Sequence, residues 1–77
     1  MSRWKRPLTS KEVKTILKNL GFIYRNTEGS HENWIKENPF RKVTVDPPKS
    51  PFGHFLIESM SRQAGVSVKE FYNALNK

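Results

Sequence analysis

Cysteine is absent from all 77 residues. That excludes a disulfide framework and a thiolate metal site, and it fits a reducing compartment. Acidic side chains are scarce: 7 Asp and Glu stand against 14 Lys and Arg, a formal net charge of +7. Hydrophobic residues make up only 35% of the chain, so the stability margin should be thin and a partner that covers apolar surface should matter. No apolar run approaches a membrane span, and the polar, basic stretch Met1 to Leu8 has no signal-peptide core. The expectation is a soluble, cytoplasmic protein with no membrane attachment. With two distant histidines and no ligand-spaced acids, neither a metal site nor a small-molecule cofactor is expected.

What is present is positive charge, unevenly placed. Residues 1–20 carry Arg3, Lys5, Arg6, Lys11, Lys14 and Lys18 against Glu12 alone, whereas residues 21–46 hold four charges of each sign. A polyanion would meet the N-terminal arm and the first helix before the middle of the chain. Nucleic acid is the partner this balance favours, although a basic chain can also be basic for solubility.

The length allows one domain, divided here into a basic arm, residues 1–8, and a single folded unit, 9–77. Thr9 with Glu12 is a capping box, Val13, Ile16, Leu17 and Leu20 recur at helical spacing, and Gly21 supplies the stop. Lys11, Lys14 and Lys18 fall on the face opposite that stripe. Three short strands follow, over 22–27, 31–36 and 41–46, joined by turns at Glu28-Gly29-Ser30 and Asn38-Pro39. A proline-rich loop leads to a second helix over about 54–64 with Ile57, Met60 and Ala64 buried and Gly65 as its stop. Ser67 with Glu70 starts a short final helix. The predicted fold class is α+β, in the order α-β-β-β-α: a three-stranded antiparallel sheet with helices on one face and a short extra C-terminal helix. That is the architecture of a double-stranded-RNA-binding domain. Phe22, Phe52 and Phe71 read as core; Tyr24, Trp34 and Phe40 are each readable as core or as a base-stacking surface.

Four pieces of sequence narrow the match. They are S-K-E-V-K-T-I-L-K-N-L-G-F at 10–22, Gly29-Ser30-His31 with Trp34 three positions on, V-T-V at 43–45, and R-Q-A-G-V-S at 62–67 followed by Glu70-Phe71. In this order and spacing they resemble the HicA family of bacterial toxins, small mRNA interferases paired with a HicB antitoxin. The resemblance spans about Ser10 to Leu75. Departures from the family pattern are Glu32 where many members have a second histidine, Phe55-Leu56-Ile57 in place of Gly-Thr-Leu, and Asp46-Pro47-Pro48 after V-T-V.

The resemblance implies that His31 is the catalytic residue, that the substrate is mRNA, and that a HicB-type antitoxin neutralises the protein. The chemistry is consistent: RNA carries its own nucleophile in the 2′-hydroxyl, so cleavage needs a proton acceptor or donor and nearby positive charge rather than a metal. Histidine, with an ordinary pKa of about 6.5, suits either proton role near neutrality. Lys11, Lys14, Lys18 and Arg25 are the candidate phosphate contacts; Gly29 permits a tight turn and close approach of a phosphate, and Ser30 can donate to that phosphate or satisfy the turn. His31 alone would also read as an ordinary exposed residue at a strand start. The remaining alternatives are a non-catalytic RNA-binding module of the same fold and a purely protein-binding partner.

Overall fold

A computed structural model describes residues 6–76. Helix α1 (Ser10–Asn19) forms where the capping box places it. Thr9 Oγ1 accepts from the Glu12 amide at 3.2 Å, and the Thr9 amide donates to Glu12 Oε1 at 3.0 Å. Strands β1 (Ile23–Glu28), β2 (His31–Lys36) and β3 (Arg41–Val45) build one antiparallel sheet in the order β1-β2-β3. A 3-10 turn at Pro47–Lys49 leads to α2 (His54–Ala64), followed by α3 (Val68–Asn73) and a terminal 3-10 turn, Ala74–Asn76. The α-β-β-β-α order, the antiparallel sheet and the short extra helix are those read from the sequence.

The sheet has one apolar face because its side chains alternate. Trp34 pairs with Val43, and Glu32 with Val45. Trp34, Val43 and Val45 are buried, together with Val13, Ile16 and Leu17 of α1, Ile57 and Met60 of α2, and Phe71 of α3. Phe22, Phe52 and Phe71 are core as expected, and Trp34 joins them, with Tyr24 edge-on to its indole at 5.8 Å between ring centroids. Phe40 is exposed. Leu8, which the sequence places in the arm, is fully buried and exchanges backbone hydrogen bonds with Phe52. Residues 1–5 of the arm lie outside the described residues.

Helix α2 ends by the same local chemistry that the sequence signals. Gly65 is left-handed at φ 79°, the Val66 amide donates to the Ser61 carbonyl at 3.0 Å, and the Gly65 amide to that of Arg62 at 3.1 Å. A Cβ at position 65 would lie 2.6 Å from the Arg41 guanidinium, the movable end of an exposed side chain of β3 that would have to shift. The termini are also tied in: Asn19 Nδ2 donates to the Ala74 carbonyl at 2.7 Å, and the Tyr72 hydroxyl donates to the Arg6 carbonyl.

Candidate nucleic-acid site

His31 is the first residue of β2. A two-residue turn, Gly29-Ser30, separates it from its cross-strand partner Glu28. Gly29 sits at φ 62°, as the first central position of a type II′ hairpin turn requires, with open space around its Cα. Because Trp34 faces the core three residues on, alternation turns the His31 side chain to the other side of the sheet, where it is 57% exposed. Ser30 and Gly29 are both exposed beside it.

Asp46 and Lys49 complete the charged surroundings. His31 Nε2 lies 3.6 Å from Asp46 Oδ2, a separation for an ion pair when the imidazole is protonated, and Lys49 Nζ lies 3.8 Å from the same oxygen. The second carboxylate oxygen of Asp46, Oδ1, is buried with no hydrogen-bond partner among the described residues. These three side chains stand along an open cleft of about 160 Å³ between the end of β3 and α2. Its apolar lining comes from Phe52, Leu56 and Met60, its polar lining from Thr44, Ser59 and Gln63.

The structure separates the residues that the sequence grouped as phosphate contacts. Lys11 and Lys18 are exposed on α1. Lys14 is half-buried, its Nζ 3.1 Å from Glu32 Oε2. Arg25 sits at the irregularity in β1 between Tyr24 and Asn26 and lines a polar depression with Lys42 and Asn33. None of the four lines the cleft of His31. The lysine that does is Lys49, and sequence reading passed over it, as it passed over Gln63. Lys49 follows two prolines in what reads as a plain loop, and Gln63 stands in a motif read for its glycine. A sequence signal for Asp46 existed, in the departure from the family pattern after V-T-V. His54 opens α2 and lies 3.7 Å from Glu58, one helical turn on. Phe55 is 85% exposed, Leu56 lines the cleft and Ile57 is core, so the three departures at the start of α2 have three different surroundings.

Among the described residues no group of three His, Cys, Asp or Glu side chains is placed to hold a metal, and no helix is long and apolar enough to cross a membrane.

An α-β-β-β-α domain built on a three-stranded antiparallel sheet, with an exposed histidine at the start of its central strand, belongs to the fold class of the double-stranded-RNA-binding domain. Within that class, the family model for the HicA toxin of bacterial toxin–antitoxin systems matches residues 10–66. The chain belongs to this family. Comparisons with curated proteins and with solved structures give no match.

Proposed function

We propose that this toxin is an endoribonuclease that cleaves mRNA without a metal, with His31 as its catalytic group and a HicB-type antitoxin as its inhibitor. The observation that carries the reading is His31 itself. It follows the Gly29-Ser30 turn, projects away from the core, and shares a cleft with the cationic end of Lys49. In the proposed reaction the neutral imidazole takes the proton of a 2′-hydroxyl. The alkoxide then attacks the adjacent phosphorus, the bond to the 5′-oxygen breaks, and that oxygen takes a proton from solvent at the open mouth of the cleft. The result is a 2′,3′-cyclic phosphate and a 5′-hydroxyl end. Lys49 balances charge at the phosphate, for which Asp46 stands as an internal counterion until RNA arrives. Exposed Lys11 and Lys18, with Arg25, would hold more distant parts of the RNA backbone.

A single acid or base in this position contributes about 10²–10⁴ in rate. Expression of wild type and His31→Ala in matched hosts tests the assignment, with growth and mRNA integrity followed together. The alanine variant should be folded and harmless. If it is as toxic as wild type at equal abundance, His31 is not the catalytic group. A non-catalytic RNA-binding module of the same fold predicts salt-sensitive RNA affinity with intact mRNA for both proteins.

A further inference from the structure

We propose that the cleft beside His31 is a nucleobase subsite, which takes one unpaired base next to the scissile phosphate and reads its edge through Gln63. The proposal rests on the reading of His31 as the catalytic group and names how the substrate is seated there. Three observations support it. First, the cleft is continuous with the chemistry: His31, Lys49 and the apolar side chains of Leu56 and Met60 line the same space. A chain whose phosphate lies at His31 and Lys49 therefore has its neighbouring base within reach of that space. Second, the lining suits a base, with apolar surface for the ring faces and a few polar groups at one edge. Ser59 and Gln63 are four residues apart on α2 and so share one side of the helix.

Third, Gln63 is exposed at the mouth of the cleft, with its amide tethered at the oxygen and its donor group open to a ligand. Its Oε1 accepts the Thr44 amide of β3 at 3.2 Å. The oxygen is thereby spent on the edge of the sheet, and Nε2 has no hydrogen-bond partner among the described residues. An amide whose oxygen is tethered to the sheet edge offers its N–H groups rather than its oxygen to a ligand, as recognition of an acceptor on a base requires. The bases that fit are those with a ring nitrogen or carbonyl oxygen at that edge. An unpaired nucleotide is needed, because bases in an A-form duplex are not accessible to a side chain in such a cleft.

Gln63→Glu separates the two uses of this side chain. The carboxylate still accepts the Thr44 amide, so the contact between α2 and β3 is kept, but the donor is lost. Its negative charge weakens RNA binding uniformly, whereas loss of base reading changes the ratio between bases. The cut-site profile of a randomised single-stranded RNA is sequenced for wild type and Gln63→Glu. In parallel, His31→Ala and His31→Ala/Gln63→Glu are used to select bound RNA from the same pool, which needs no cleavage. The expected result is a base preference at one position that falls by about three- to tenfold in the glutamate variants, the worth of one hydrogen bond. Unchanged preferences in both experiments overturn the subsite. Absence of any cut by wild type overturns the catalytic reading of His31, and the selection then decides the subsite alone. A preference in His31→Ala that disappears with Gln63→Glu supports it; equal enrichment in the two rejects it.

Discussion

Lys14 Nζ lies 3.1 Å from Glu32 Oε2, and this pair joins α1 to β2 on the face of the sheet opposite His31. Glu32 also accepts from Trp34 Nε1 at 3.4 Å through its other oxygen. The negative charge next to the proposed catalytic histidine in sequence is therefore directed away from it in space. Its role is to hold a helix and satisfy an indole.

The consequence is that Glu32→Gln should lower stability by about 1 kcal/mol or less, the worth of a partly exposed pair. RNA cleavage per folded molecule should be unchanged. Urea denaturation and a cleavage assay on the same preparation check both halves. Glu32→His, which imitates the histidine pair of many family members, should lose the Lys14 link and gain no activity, since position 32 faces the core side.

Lys49 stands apart from the lysines of α1 because it lines the cleft. Lys49→Ala should weaken binding to single-stranded RNA and flatten the log–log salt dependence by about 0.7, the release of one counterion. The Lys11→Ala/Lys18→Ala pair should flatten it by about 1.4 if α1 follows the RNA backbone as well. Anisotropy titrations across a salt series read both slopes. No change for either variant would leave the cationic path to Arg25 and Lys42.

Gly65 is constrained by φ 79°, and the Arg41 guanidinium lies 2.6 Å from where a Cβ would stand. Gly65→Ala should cost about 1–2 kcal/mol from the left-handed backbone alone, plus the displacement of Arg41. Combining it with Arg41→Ala should recover the second part and leave the first. A double-mutant cycle in urea measures the coupling, and strict additivity would show that the guanidinium simply moves aside.

Two groups set the pH limits of the N-terminal segment. A hydrogen bond from the Arg6 guanidinium, with that of the Thr9 amide, holds Glu12 below its ordinary value of 4.5. The folded state therefore favours the carboxylate. Its contribution is fully present above that ordinary value and is lost as pH falls through the lowered one. Burial raises the Tyr72 hydroxyl above its ordinary 10.0, so its contribution is present below pH 10 and is lost as pH rises beyond it. Thermal melts from pH 3 to 11 should narrow at both ends. Glu12→Gln should flatten the acid limb and Tyr72→Phe the alkaline one, each at some cost in stability at neutral pH.

Local chemistry was legible in the sequence wherever a few neighbouring residues decide it. Thr9 with Glu12 and Ser67 with Glu70 close their capping boxes within one helical turn. Gly65 ends α2 because a left-handed residue is needed there, and the alternation of Val43 and Val45 fixes which face of β3 is buried. The family motif then singled out His31 without any coordinates. Its exposure depended on Trp34 being core. That choice is tertiary, since an aromatic on a small sheet can face either side, and packing against α1 and α2 settled it.

The surroundings of His31 were decided by tertiary structure alone. Asp46, Lys49 and Gln63 lie 15, 18 and 32 positions beyond it in the chain, and no periodicity relates a strand start to a proline-rich loop and the last turn of a helix. They meet because α2 packs along β3 and places the Gln63 amide on the Thr44 backbone. Lys14 shows the same lesson in reverse: helical spacing put it among the solvent-facing lysines, but the approach of β2 supplied Glu32 and took it up. Sequence specifies a side chain's chemistry and its direction within an element; only the packing of elements determines what that side chain meets.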